Sequence, residues 1–316
     1  MTTIPPFDPE LAPILAASPI PSTITADMIP VLRSVPFTPP IADLVAGRPI
    51  EHRDIEIEGP GGGRITLAVI RPTERTPDAP VILYLHGGGM IIGDRFTGIA
   101  PVLDWVETHG VVAVSVEYRL APEHPAPAGV EDAYAALQWI ADQASELGID
   151  ARRVIVAGTS AGGGIAASTV LRARDAGGPA VHGQLLMSPM LDDRDETLST
   201  LQYADTGSWT RVSNTTGWSA LLGDRRGGPQ VTSDDAAARA TDLTGLPSTF
   251  IDVGSAEVFR DEDTAYANSL WEAGIDTELH VWAGGFHIFD GIAPDAQISR
   301  ATVKARHTWL RRILSR

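Results

Sequence analysis

The sequence predicts an α/β protein with a mostly parallel central sheet, helices on both faces and a helical cap. Short apolar runs rich in β-branched residues alternate with longer helical patterns, as expected of parallel strands joined by crossover helices. The clearest unit is residues 154–174. There a fully apolar strand enters the tight turn Gly158-Thr-Ser-Ala-Gly162 and continues as an Ala-rich helical run.

The first 50 residues are rich in proline but also carry recurring large apolar residues. This pattern favours a packed cap segment of short helices broken by prolines, and a disordered tail is the alternative interpretation. Residues 54–58 then alternate strictly between polar and apolar side chains. A Gly-rich turn separates them from a second strand pattern at 65–71, which predicts a hairpin at the edge of the sheet.

The remaining chain continues the alternation of strands and helices. Strands are predicted at 81–85, 111–116, 154–157, 181–188, 249–254 and 277–282, and helices at 100–109, 131–147, 165–174, 264–273 and 298–314. Residues 192–224 interrupt this order with aromatic residues set among polar ones, which suits either a lid over a pocket or simple packing onto the body. We therefore expect an N-terminal cap segment at 1–50, a core at 51–190 and 236–316, and a cap insertion at 191–235.

The composition excludes several classes of partner. A formal net charge of -16 disfavours binding to nucleic acid or to an anionic membrane. The absence of cysteine excludes disulfides, a thiol nucleophile and a Cys-ligated metal, and it fits a cytoplasmic protein. No basic residue precedes Arg33, and no apolar run is long enough for a membrane helix, so we expect a soluble protein without a secretory signal.

The tight turn at 158–162 presents Ser160 as a candidate nucleophile. So sharp a strand-to-helix turn leaves little room around its backbone, which accounts for Gly158 and Gly162, although five loosely specified residues alone are weak support. A serine nucleophile needs a base, and the base needs an acid. Of the eight histidines, His287 lies in a loop just after the last strand, where an imidazole can reach Ser160. The candidates for the acid follow the preceding strand: Glu257, Asp261 and Glu262.

A second Gly-rich stretch, His86-Gly-Gly-Gly89, follows the strand at 81–85. Consecutive glycines leave backbone N–H groups free to stabilise an anion. A phosphate-binding loop is the rival interpretation, but its glycine spacing demands a lysine where Asp94 stands, and a carboxylate repels phosphate. No metal-ligand spacing such as His-Glu-x-x-His occurs, so we expect neither a metal nor an organic cofactor.

Four motifs together resemble the bacterial hormone-sensitive-lipase family of α/β-hydrolase carboxylesterases, in its Gly-Thr-Ser-Ala-Gly branch. They are His86-Gly-Gly-Gly89, Tyr118-Arg-Leu-Ala-Pro-Glu-His-Pro125, Gly158-Thr-Ser-Ala-Gly-Gly163 and the loop around His287. The resemblance runs from about Val81 to the C-terminus and implies the α/β-hydrolase fold. By position it implies Ser160 as nucleophile, His287 as general base, the N–H groups of Gly88, Gly89 and Ala161 as oxyanion hole, and His86 as a loop-positioning residue without a role in proton transfer.

The acid loop departs from the family pattern. Many members carry Asp-Pro-Leu-x-Asp-Glu there, whereas this chain has Glu257-Val-Phe-Arg-Asp-Glu262. Glu257 therefore takes the place of the usual catalytic aspartate, and Asp261 is its main rival. In the insertion, Trp209 and Tyr203 are predicted to line the substrate pocket.

The resemblance implies hydrolysis of short- to medium-chain acyl esters of small molecules through an acyl-enzyme intermediate. A lactone or amide hydrolase with the same three catalytic groups is the nearest alternative, and a non-catalytic ligand-binding member of the fold is a more distant one. Dimers are common among similar enzymes, and the last predicted strand is available to pair across a two-fold axis, so a homodimer is a further expectation.

Overall fold

The computed structural model describes residues 3–36 and 38–316. Within them lies one eight-stranded sheet, formed by Ile50–Glu58 (β1), Arg64–Pro72 (β2), Ala79–Leu85 (β3), Val112–Val116 (β4), Ile149–Thr159 (β5), Gly183–Met187 (β6), Ser248–Gly254 (β7) and Thr277–Trp282 (β8). The strand order is β1-β2-β4-β3-β5-β6-β7-β8. The β1–β2 and β2–β4 pairs are antiparallel and all other pairs are parallel. The predicted fold class and the hairpin at the sheet edge are confirmed.

Helices cover both faces of this sheet. Their bounds are Ala12–Ala16 (α1), Ile29–Arg33 (α2), Ile41–Val45 (α3), Ala100–His109 (α4), Ala128–Asp142 (α5), Ala144–Leu147 (α6), Ala161–Asp175 (α7), Leu198–Gln202 (α8), Arg211–Leu222 (α9), Arg260–Glu272 (α10), Phe289–Ile292 (α11) and Gln297–Leu314 (α12). Alternate residues of β3 enter different cores: Leu83 and Leu85 belong to the cluster that includes residues of α5, α7 and α10, whereas Ile82 and Tyr84 belong to the cluster that includes residues of α4 and α12. The sheet therefore separates two apolar cores.

Three predicted helices differ from those in the structure, and one of them, α10, begins at Arg260 and not at the predicted residue 264. The helix expected at 131–147 is divided into α5 and α6 at Gln143. Helix α7 begins at Ala161, before the predicted start at 165, and its first turn contains three consecutive glycines. Glycine is a poor helix former, and here close packing of that turn against β3 and the chain after β6 overrides the propensity.

The N-terminal segment packs against the insertion and against the loop around His287. The backbone N–H of Thr210 donates to the Ser22 carbonyl at 3.1 Å, and the Tyr203 hydroxyl donates to the Pro5 carbonyl at 2.9 Å. Leu11 is fully buried in one cluster with Phe286. The described part of the segment is thus packed on the body, while the proposed division into cap and core remains a prediction.

No helix within residues 3–36 and 38–316 combines the length and the apolar character needed to cross a bilayer.

Candidate active site

Ser160 lies on a strained turn between β5 and α7. Its backbone has φ +57° and ψ -122°, a conformation that residues other than glycine rarely adopt. Two bonds to the chain at the end of β6 hold this conformation: the Ser160 N–H donates to the Met187 carbonyl at 2.8 Å, and the Met190 N–H donates to the Ser160 carbonyl at 2.9 Å. The strain is therefore compensated locally, and the hydroxyl lies at the carboxyl end of the sheet.

The glycines beside Ser160 are required by contact between backbones. A Cβ atom on Gly158 would lie 2.1 Å from the Gly162 carbonyl oxygen. On Gly162 it would lie 2.0 Å from the Leu85 carbonyl oxygen. Neither oxygen belongs to a flexible side chain that can move away, so β5, α7 and β3 meet at this point only if both residues lack a Cβ.

The structure brings Ser160, His287 and Glu257 together in one hydrogen-bonded line. The distance between Ser160 Oγ and His287 Nε2 is 2.9 Å, and that between His287 Nδ1 and Glu257 Oε2 is 2.6 Å. With a carboxylate at Nδ1, the imidazole carries its proton there, which leaves Nε2 free to accept the proton of the Ser160 hydroxyl. All three side chains are buried.

The second oxygen of Glu257 is also engaged. Glu257 Oε1 accepts hydrogen bonds from the Gly254 N–H at 2.8 Å and from the Ser188 hydroxyl at 3.0 Å. These two donors fix the carboxylate so that its other oxygen points to His287. Ser188 was not among the residues predicted for the site, although it lies at the end of the strand next to β5, and site residues gather at the carboxyl ends of parallel strands.

The two rival carboxylates point elsewhere. Asp261 Oδ2 accepts the Ser199 N–H at 2.7 Å, at the start of α8, and Asp261 Oδ1 accepts from Arg260 Nε at 2.8 Å. Glu262 Oε1 accepts the Leu191 N–H at 2.7 Å, and burial raises the pKa of this carboxyl well above its usual range. Of the three candidate acids, Glu257 is the one that contacts His287.

The Gly-rich loop after β3 presents free backbone donors beside Ser160. Gly88 and Gly89 both have positive φ, and a Cβ atom on Gly88 would lie 2.0 Å from the Ile92 carbonyl oxygen. Within residues 3–36 and 38–316, the N–H groups of Gly88, Gly89 and Ala161 donate to no acceptor. Such unpaired donors can donate hydrogen bonds to, and so stabilise, a negative charge that forms beside Ser160.

His86 supports this loop from behind. Its ring stacks on the Tyr118 ring with centroids 4.1 Å apart, and its Nδ1 lies 2.7 Å from the Gly87 carbonyl oxygen. Burial lowers the pKa of the fully buried His86 imidazole, so the neutral ring donates its Nδ1–H to Gly87. The Tyr118 hydroxyl donates to the His86 carbonyl at 2.7 Å, which ties the start of the loop to the body.

The two aromatic residues predicted to line the pocket lie in different surroundings. The Trp209 ring lies directly against the Gly-rich loop, since a Cβ atom on Gly89 would be 2.5 Å from Trp209 Cη2, and its centroid is 6.4 Å from that of His287. The Tyr203 ring is fully buried 6.2 Å from the Phe7 ring. Trp209 thus borders the line formed by Ser160, His287 and Glu257, whereas the Tyr203 side chain contacts the N-terminal segment.

Residues 82–291 match a family model described as the alpha/beta hydrolase fold. The chain belongs to this family. It is similar to esterase LipI of Mycobacterium tuberculosis, with 36% identity over 303 residues that cover 92% of this chain and 91% of the relative. It is also similar to carboxylesterase NlhH of the same species, with 36% identity over 284 residues, 87% of this chain and 86% of the relative.

Among solved structures, a bacterial heroin esterase has a TM-score of 0.90 and 37% identity, and the match covers 99% of both chains. Together with the family model and the two relatives, this structure confirms the resemblance to bacterial carboxylesterases that the motifs predicted.

Proposed function

We propose that the protein is a serine carboxylesterase that hydrolyses short- to medium-chain acyl esters of small molecules. The observation that carries the proposal is the line of contacts from Glu257 through His287 to Ser160. The unpaired N–H groups of the Gly-rich loop support it, and the relatives named as esterases agree with it. The chemistry needs no group beyond these residues, the ester and water.

In the first half of the reaction, Ser160 Oγ attacks the ester carbonyl carbon while His287 Nε2 takes the hydroxyl proton. The carbonyl oxygen becomes an anion and accepts hydrogen bonds from the Gly88, Gly89 and Ala161 N–H groups. The bond between carbon and the alkoxy oxygen then breaks. His287 gives its proton to that oxygen, so the alcohol leaves neutral and the acyl group stays on Ser160.

In the second half, water attacks the acyl-enzyme and gives a proton to His287. The bond to Ser160 then breaks, Ser160 recovers its proton from His287, and a carboxylic acid is released. Glu257 stabilises the imidazolium in both halves because it accepts the Nδ1–H throughout. Each oxyanion donor typically contributes on the order of a hundredfold or more in turnover.

The protein can be tested with p-nitrophenyl esters from acetate to laurate. We expect initial rates that peak at one acyl length and that disappear in Ser160→Ala. A matching rate in wild type and Ser160→Ala would contradict a serine esterase, because the hydrolysis would then not pass through this hydroxyl.

A homodimer is a separate proposal. It is supported by β8, which lies at the edge of the sheet and exposes Val281, and by the exposed Trp271 on the adjacent α10. Light scattering tests it directly. A solution mass equal to one chain would contradict it.

A further inference from the structure

A small apolar cavity lies behind the Gly-rich loop. Its apolar lining comes mainly from Met90, Ile165, Met190, Trp218 and Leu221, together with the backbone of Gly164, and its volume is ≈ 20 Å³. A space of this size holds about one water-sized group. Three charged side chains also line it: Arg119, which pairs with the buried Asp132 at 2.8 Å, and the carboxylates Asp234 and Asp235.

This cavity is adjacent to the nucleophile. Met90 directly follows Gly89, one of the proposed oxyanion donors. The Met190 and Gly164 N–H groups both donate to the Ser160 carbonyl, at 2.9 and 3.1 Å. Three residues that line the cavity are thus backbone neighbours of the Ser160 carbonyl or of the proposed oxyanion loop.

Two methionine side chains fill the space between α7 and α9 at this point. A Cβ atom on Gly164 of α7 would lie 3.5 Å from Met90 Cε, and one on Gly217 of α9 would lie 3.3 Å from Met190 Cε. The two methyl groups thus lie against these helices, although the nearest atoms to the two Cβ positions are the carbonyl oxygens of Met190 and Gly89, at 2.1 and 2.7 Å. Methionine is unbranched and adaptable, which makes these two side chains the parts of the lining most able to change shape.

A different groove lies on the His287 side of the site. It has a volume of ≈ 450 Å³ and is bordered by Ser208, Ile288 and the segment from Phe7 to Ser22. Its lining shares no residue with the cavity behind the Gly-rich loop. His287 must deliver its proton to the alkoxy oxygen of the substrate, so the alcohol half of the ester belongs on this open side.

We propose that Met90 and Met190 form the adjustable wall of the acyl site, and that the cavity behind them receives the end of the acyl chain. This inference rests on the proposed esterase function. With both methionines in place the cavity admits a short, uncharged acyl group, and longer chains require the side chains to swing aside. Met190 is the better test position, because Met90 adopts a positive φ within the loop.

The first experiment measures kcat/KM for p-nitrophenyl acetate, butyrate, hexanoate and octanoate with wild type and Met190→Ala. We expect the ratio of octanoate to acetate to rise at least about tenfold in Met190→Ala, since one methylene in an apolar pocket is worth about 10- to 200-fold. The matched control is Met187→Ala. Met187 is also buried and three residues away, but it packs in the core on the other face of the sheet, so this ratio should not change.

The second experiment enlarges the side chain at position 190 and, separately, varies the alcohol half of the ester. Met190→Phe should lower the octanoate-to-acetate ratio because a rigid ring fills the same space. A series of acetate esters with ethyl, butyl and hexyl alcohols should keep its wild-type profile in Met190→Ala, since the alcohol lies on the His287 side. If Met190→Phe does not fold, Met190→Ala still decides the outcome.

Three outcomes would overturn the assignment. An acyl profile unchanged in a folded Met190→Ala means that the methionines only pack. If Met190→Ala changes the profile for the alcohol series and not that for the acyl series, the alcohol half of the ester occupies the cavity. Equal shifts in Met190→Ala and Met187→Ala indicate general loosening of the fold. Failure of the esterase function itself is distinguishable, because the wild type would then hydrolyse no ester faster than Ser160→Ala.

Discussion

Two loops at the carboxyl ends of parallel strands each supply one member of the hydrogen-bonded line from Ser160 to Glu257, and they are constrained in different ways. At 158–164 the constraint is backbone against backbone: a Cβ atom on Gly158, Gly162 or Gly164 would lie 2.0 to 2.1 Å from a carbonyl oxygen. At 257–263 several carboxylates compete for one role, and hydrogen-bond donors from other segments decide which of them meets His287. Four of the seven residues there are Asp or Glu, and their surroundings separate them.

The difference shows which kind of information a local sequence carries. Close approach of backbones permits only glycine, so the first loop leaves a local mark that becomes specific together with the strand before it and the helix after it. Carboxylates are chemically equivalent until distant residues supply donors. Glu257 accepts a hydrogen bond from the Ser188 hydroxyl, Asp261 from the Ser199 N–H and Glu262 from the Leu191 N–H. Each donor lies at least 62 residues away in the sequence.

Replacing Ser160 by alanine should have the largest effect on activity. Loss of a serine nucleophile lowers turnover by about 10⁶-fold in comparable enzymes, with binding and the oxyanion donors left in place. The measurement is the turnover number for p-nitrophenyl butyrate, with thermal unfolding as the control for folding. A folded Ser160→Ala protein that keeps even a tenth of the wild-type rate would show that the first loop does not carry the nucleophile.

Replacing Glu257 by glutamine should lower turnover by about 10⁴-fold, because the amide cannot stabilise the His287 imidazolium. The matched variant is Asp261→Asn in the same loop. Its turnover should stay within a few-fold of the wild-type value. Its free energy of unfolding should fall by about 1–2 kcal/mol, because the hydrogen bonds from Ser199 and Arg260 weaken. The reverse pattern, with Asp261→Asn inactive and folded, would mean that Asp261 is the acid.

Replacing Gly162 by alanine tests the backbone constraint directly. The collision with the Leu85 carbonyl oxygen should cost about 4 kcal/mol or more of unfolding free energy, measured by urea denaturation. Gly291 is the control, because a Cβ atom there meets nothing within 4 Å and its substitution by alanine should be nearly neutral. Similar small losses in both variants would show that β3 and α7 can separate at little cost.

Asp263 should make the protein less stable as the pH rises. It is fully buried, both its oxygens lack a hydrogen-bond partner among the described residues, and burial beside Glu262 and Glu257 raises its pKa well above the usual range. The unfolded chain ionises Asp263 near pH 4, whereas the folded chain retains the proton to a higher pH. Stability therefore falls by about 1.4 kcal/mol per pH unit between the two pKa values.

The test of this prediction compares wild type with Asp263→Asn, whose amide does not ionise. The free energy of unfolding is measured in urea at pH 5 and at pH 8. We expect the wild type to lose stability relative to the variant between these values. A constant difference between the two proteins would show that Asp263 ionises in the folded state as readily as in the unfolded chain.

The sequence by itself determined the parts that depend on neighbours in the chain. Alternating apolar runs predicted the order of strands and helices, because burial follows the period of each element. The turn at 158–162 identified Ser160, and the loop after the last strand identified His287. The helix at 161–175 was misjudged at its start, since the glycines that lower helix propensity are those that close packing requires.

Only the tertiary structure decided which equivalent side chains meet. His287 lies 127 residues from Ser160 and 30 from Glu257, and no local pattern reports such distances. The same applies to Trp209, which borders the catalytic groups while Tyr203 packs elsewhere, and to Met190 beside the nucleophile. Local patterns record what a residue needs from its chain neighbours, whereas hydrogen bonds and cavities arise when distant segments pack, so the identity of the partner appears only in the folded chain.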